Sequence, residues 1–136
     1  MKSRFDLMLA TTLACLGLAG LGVALGGAVY AQEIHAGAYP QQTGEDLFRG
    51  ICQGCHMPDA KGAIGAGAYP ALANNMRLAA AIYPITVVVN GQRAMPNFGE
   101  DLSDAQIANV INYVRTHFGN HYKDVVSPAA VKAARR

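Results

Sequence analysis

The sequence predicts an all-α domain of three to five helices, preceded by an apolar N-terminal helix. Three observations predict it. Gly44, Leu47, Phe48 and Ile51 follow the i, i+3, i+4, i+7 spacing of one helical face. Ile107, Val110, Ile111, Val114 and Phe118 repeat a helical stripe near the C-terminus, behind Ser103 and Gln106 in capping-box positions. The β-prone run Ile85-Thr86-Val87-Val88-Val89 has no second strand to pair with, so it is read as helix.

Each element has start and stop signals. Thr43 is a good N-cap for the first helix, with Asp46 three residues on. Leu78–Ile82 and Pro84–Val89 are short helical candidates, the second closed by Asn90-Gly91. Leu102 and Ile107 suit a hydrophobic staple on the last long helix, and Gly119 suits its C′ stop. The stretch 59–75, with Gly62, Gly65, Gly67 and Pro70, is expected to be loop. Ser127-Pro128 caps a short helix from Ala129 to Arg136, or else the tail is a disordered basic end.

The N-terminal segment reads as an address. Lys2 and Arg4 precede an uncharged run from Leu7 to Ala31, and Val29 and Ala31 fit a signal-peptidase site with Gln32 as the new N-terminus. An uncleaved membrane anchor over residues 7–31 is the alternative, since the run is long enough to span a bilayer. A lipoprotein built on Cys15 fits worse, because Thr12-Leu13-Ala14 is a poor lipobox. Every one of these readings exports the chain. The expected organisation is residues 1–31 signal or anchor, 32–40 linker, 41–122 domain and 123–136 tail.

Composition narrows the function. A formal charge of +2 over 136 residues gives no basic patch for nucleic acid. Aromatics at 7%, without Trp, argue against an aromatic ligand platform. Three cysteines are too few for a disulfide scaffold, yet a domain this small needs a staple.

Residues 52–56 supply one. They read Cys52-Gln53-Gly54-Cys55-His56, the Cys-x-x-Cys-His attachment motif of c-type haem. Two intervening residues set the thiols one helical turn apart, so both reach neighbouring vinyl groups of one ring as thioethers. His56, next in the chain, then offers its imidazole to the iron. With 3 Cys and 4 His in the chain, the pattern is expected roughly 0.002 times by chance. A thioredoxin-like site would want a strand before Cys52, and a zinc site would want a second ligand pair, which His117 and His121 around Gly119 do not make. The expected cofactor is one covalently bound haem c.

An electron carrier needs a second strong ligand opposite His56. Met57 adjoins His56 on the same side of the ring. Met76 lies before an Ala-rich helix and is expected to pack. Met95 sits in the irregular run Asn90-Gly91-Gln92-Arg93-Ala94-Met95-Pro96-Asn97-Phe98-Gly99, which can return a thioether over the haem face. Met95 is therefore the expected distal ligand. His35, His117 and His121 are alternatives for bis-His ligation, each otherwise a surface histidine.

The order of helix, Cys-x-x-Cys-His, Gly/Pro loop, short helices, Met-Pro loop and terminal helix resembles the class I cytochrome c fold. The resemblance implies helices wrapped around the haem, with Gly44 and Phe48 crossing Tyr113 of the last helix. It implies that Tyr69-Pro70-Ala71-Leu72 is the family's Pro-x-Leu segment, whose Pro70 carbonyl accepts from Nδ1 of His56. Tyr69, Arg77 and Arg93 are candidate haem contacts. The tail, with Val131 and terminal arginines, resembles those of cytochrome subunits serving bacterial periplasmic dehydrogenases.

These readings converge on an exported, periplasmic electron carrier and not an enzyme. Its expected partners are a dehydrogenase donor and a cytochrome or oxidase acceptor in a respiratory chain, with no nucleic acid and with membrane association only if residues 7–31 stay attached. The alternatives are a tightly bound subunit of a dehydrogenase complex, or a haem enzyme or gas sensor with an open sixth site.

Overall fold

The computed structural model describes residues 39–65 and 67–135. The signal or anchor segment, most of the linker, Cys15 and His35 lie outside the described residues. Among those described, no helix is long and apolar enough to cross a membrane.

The chain is mostly helical. The first helical stretch is built of α1 (Gly44–Leu47), a π-wound turn (Phe48–Cys52) and α2 (Gln53–His56). Thr43 caps it, its side chain accepting from the Asp46 backbone N–H. A regular helix was expected here. The π turn admits an extra residue, which moves Ile51 out of strict phase with Leu47 and Phe48. Leu47 and Phe48 are buried, whereas Ile51 is only half-buried.

The expected loop at 59–75 contains a short antiparallel ribbon, β1 (Ala63–Ile64) with β2 (Ala68–Tyr69). Two-residue strands carry too little alternation to show in sequence. The next expected helix, Leu78–Ile82, is displaced. A 3-10 turn spans Met76–Ala79 instead, capped by Asn75. The helix α3 (Ile82–Asn90) then starts two residues before the expected Pro84. Proline is tolerated there because the first turn's N–H groups have no intrahelical partner. The Val-rich run is helical, with Ile85 and Val89 buried.

The long helix α4 (Asp104–Thr116) carries the capping box: Ser103 Oγ accepts from Gln106 N, and Gln106 Oε1 accepts from Ser103 N at 2.9 Å. Its end corrects one expectation. The helix stops at Thr116, and the left-handed turn is made by Phe118 (φ 57°) and Gly119 (φ 80°) together. Phe118 therefore leaves the helical stripe and packs its ring against Phe48, centroids 4.7 Å apart.

Helices α1 and α4 cross at Gly44. A Cβ there would lie 2.6 Å from Tyr113 Cβ and would run into the Asn109 carbonyl. Only glycine admits this approach. The polar face of α4 also holds the entering chain: Gln106 Nε2 donates to the Tyr39 and Gln41 carbonyls at 2.8 Å, and Asn109 Nδ2 donates to Gln42 O at 2.8 Å.

The tail is ordered rather than a loose basic end. α5 (Pro128–Ala134) has Ser127 as N-cap and Pro128 at its first position, and it stops short of the expected Arg136. Val126 and Val131 are buried in the common core with Ile85, Leu102, Ile107 and Ile111.

Candidate functional site: the Cys-x-x-Cys-His turn

The site begins at the end of the first helical stretch. Cys52 closes the π turn, and Cys55 and His56 fall on the α turn that follows. Both cysteines are free thiols, Cys52 half-buried and Cys55 exposed. Burial pushes the Cys52 thiol up to about 11. The two cysteines lie three residues apart, within one helical turn.

His56 is 8% exposed. Its Nδ1 lies 2.9 Å from the Pro70 carbonyl oxygen. A carbonyl can only accept, so Nδ1 carries the proton. That fixes the tautomer and leaves the Nε2 lone pair free for a metal.

The chain earns this contact by a sharp return. Met57 (φ 66°), Ala60 (φ 58°) and Gly62 (φ 67°) all take left-handed conformations. Ala60 N donates to Met57 O at 2.9 Å, and Gly62 N donates to His56 O at 3.0 Å. The buried Ala60 then accepts from Leu72 N and Ala73 N, at 2.7 and 2.9 Å. This locks the Pro70–Leu72 segment beside the histidine. At Gly62 a Cβ would sit 2.7 Å from the Pro70 carbonyl carbon and 2.9 Å from Ala71 N.

The other predicted residues are placed more loosely. Met95 is half-buried at the closing position of a tight turn, exchanging backbone hydrogen bonds with Gln92 at 3.0 and 3.1 Å. Met76 does not pack as expected; it is 85% exposed. A 3-10 turn has one inward position per three residues, and Leu78 takes it. Met76 instead lines an open cavity of about 310 Å³ with Asn74, Asn120 and His121. Tyr69, Arg77 and Arg93 are exposed. His117 and His121 are exposed as well, His117 stacked on Tyr113 at 4.1 Å.

Among the described residues, no group of three or more His, Cys, Asp or Glu could hold a metal ion by itself. The donor set fits a prosthetic ring: two thiols for the vinyl carbons, and one imidazole nitrogen for its iron.

Sequence reasoning missed Arg115. It is 1% exposed, and its guanidinium donates to Leu78 O at 2.9 Å and Ala79 O at 3.1 Å. It also donates to Asp124 O and pairs with the Asp124 carboxylate at 2.6 Å. This one side chain joins α4, the 3-10 turn and the tail. The signal was present, since Arg115 lies four residues after Ile111 on the buried side of α4.

The family model described as cytochrome C oxidase, cbb3-type, subunit III, matches residues 40–114. The chain is 36% identical over 107 residues to the fructose dehydrogenase cytochrome subunit of Gluconobacter japonicus. That match covers 68% of this chain but only 22% of the relative. It is 38% identical over 81 residues to cytochrome c6 of Diacronema lutheri, covering 56% of this chain and 94% of the relative. A similar match, 38% over 84 residues, joins it to cytochrome c6 of Bumilleriopsis filiformis, covering 54% of this chain and 86% of the relative. The helix crossing, the Cys-x-x-Cys-His turn and these matches agree: the chain belongs to this cytochrome family and is a class I c-type cytochrome, an electron carrier.

Proposed function

We propose that this chain is an exported monohaem cytochrome c that moves single electrons between a dehydrogenase and a respiratory acceptor. The hydrogen bond from His56 Nδ1 to Pro70 O carries the reading, because it presents Nε2 as a ligand beside two free thiols. Cys52 and Cys55 would hold the ring as thioethers, and His56 and Met95 would ligate the iron. Haem supplies the one-electron ferric/ferrous couple when bound.

The protein's own residues do the rest. Pro70 holds the imidazole in one tautomer and one orientation. Leu47, Phe48 and the α4 stripe exclude water from the core behind the site. His56 and Met95 would both be committed to the iron, so electron transfer would need no bond to a substrate.

Export to the periplasm is supported by the basic residues, apolar run and Val29/Ala31 cleavage pattern at the N-terminus. A dehydrogenase partner is supported by the likeness to the Gluconobacter subunit, which also favours a second reading, a subunit resident in such a complex.

Replacing Cys52 and Cys55 together with Ala tests the attachment. Acid–acetone should then extract haem that the unaltered protein retains. Retention by the double variant would overturn the assignment. Co-purification from native membranes with N-terminal sequencing separates the free carrier from the resident subunit.

A further inference from the structure

We infer that Arg135, in the C-terminal tail, is a positioning residue for the Met95 loop. The inference rests on Met95 as the distal ligand. The loop leaves α3 at Asn90 and re-enters helix at Asp104. Its exit is held to α3 by Phe98 N donating to Val88 O at 2.9 Å and Gly99 N donating to Val89 O at 3.2 Å. Leu102 N closes the following turn on Phe98 O at 2.9 Å. The outward carbonyls of that turn are then taken up by Arg135.

Its guanidinium donates to Gly99 O, and to Leu102 O at 2.8 Å. Its Nε pairs with the Asp104 carboxylate at 2.5 Å. One half-buried side chain thus binds both ends of the 99–102 turn and the first turn of α4. The tail can hold it there because Val131, four residues earlier on α5, is fully buried. Met95 lies four residues before Gly99, so a loop exit that opens gives the thioether room to leave. The tail lies beyond the region of the family match, which ends at residue 114.

The test uses the intact haem-bound protein with Arg135→Gln, Arg135→Lys and Met95→Ala. Carbon monoxide binding to the ferrous protein reads opening of the distal side. Hydrogen exchange at the Phe98 and Gly99 amides reads opening of the loop exit. In Arg135→Gln both rates should rise roughly ten-fold, the size of one lost charge-assisted hydrogen bond. Exchange in the middle of α4 should stay unchanged. Arg135→Lys should restore much of the difference, and Met95→Ala should bind fastest of all.

Unchanged rates in Arg135→Gln, beside fast binding by Met95→Ala, would overturn the latch alone. Faster exchange spread evenly over α4 would also overturn it, reducing Arg135 to a general stabiliser. If Met95→Ala bound carbon monoxide no faster than the unaltered protein, the ligand assignment would fall, and the latch's functional role with it.

Discussion

The Pro70 carbonyl oxygen stands 2.9 Å from His56 Nδ1, and Gly62 is what lets it stand there. Gly62 has φ 67° and its backbone runs against that of Pro70 and Ala71. A side chain at this position meets strain and a clash at once. Gly62→Val should lower stability by about 1–3 kcal/mol, from the backbone conformation alone. It should also push the Pro70 carbonyl off the imidazole. The hydrogen bond makes His56 a stronger donor to ferric iron, so losing it should raise the reduction potential. Denaturant unfolding and potentiometry on the holoprotein check both. A destabilised variant with an unchanged potential would mean that Gly62 serves only the turn.

Gly44 gives the matching control at the helix crossing. Its missing Cβ is where Tyr113 Cβ and the Asn109 carbonyl come closest. Gly44→Val should destabilise the fold by roughly 1–3 kcal/mol through overpacking. Helix propensity alone favours most residues over glycine at an open site and would push the other way. The unfolding midpoint should fall with an unchanged slope. The potential should move little, because Gly44 packs against Asn109 and Tyr113 and not against the Pro70 carbonyl that holds His56.

Met95→Ala should leave the haem attached, since the thioethers do not depend on it. It should abolish the far-red ferric absorption expected of His/Met ligation, lower the potential and admit small ligands. An unchanged spectrum would turn attention to Met76, which is exposed beside His121.

The sequence showed most clearly what depends on local spacing. The Cys-x-x-Cys-His motif, the Thr43 cap and the Ser103–Gln106 box are each written within four or five residues, and each stands where it was expected. The Gly44–Tyr113 approach was readable only through family likeness, because no spacing links residues on two helices. The π turn at Phe48–Cys52 had no signal at all; its residues are ordinary helix formers apart from Gly50. The left-handed residues Met57, Ala60 and Phe118 were equally hidden, since none is a glycine and their conformations are imposed by the hydrogen bonds around them. Arg135 was hidden for a different reason. Its partners all lie more than thirty residues away, and besides the Asp104 carboxylate they are backbone carbonyls, which have no letter in the sequence.

The last prediction concerns Arg115 and acid. Its guanidinium is buried, while its partner Asp124 is mostly exposed. The hydrogen bond from Arg115 holds the Asp124 carboxyl below the usual carboxylate range. A carboxyl lowered in the folded state stabilises that state above its unfolded value, and the contribution is lost as pH falls through the folded value. The tail should therefore loosen on the acid side and not on the alkaline side. Asp124→Asn should remove this acid dependence with a small loss at neutral pH, because an exposed carboxylate is strongly screened. Arg115→Ala should cost more, about 1.5–3 kcal/mol, because Leu78 O and Ala79 O lose a charged donor inside the protein. Thermal unfolding across the acid range, with each variant beside the unaltered protein, checks both. Equal losses in the two variants would show that the ion pair matters and the buried carbonyls do not. A larger loss in Arg115→Ala would establish that this arginine holds the 3-10 turn and tail together chiefly through the backbone.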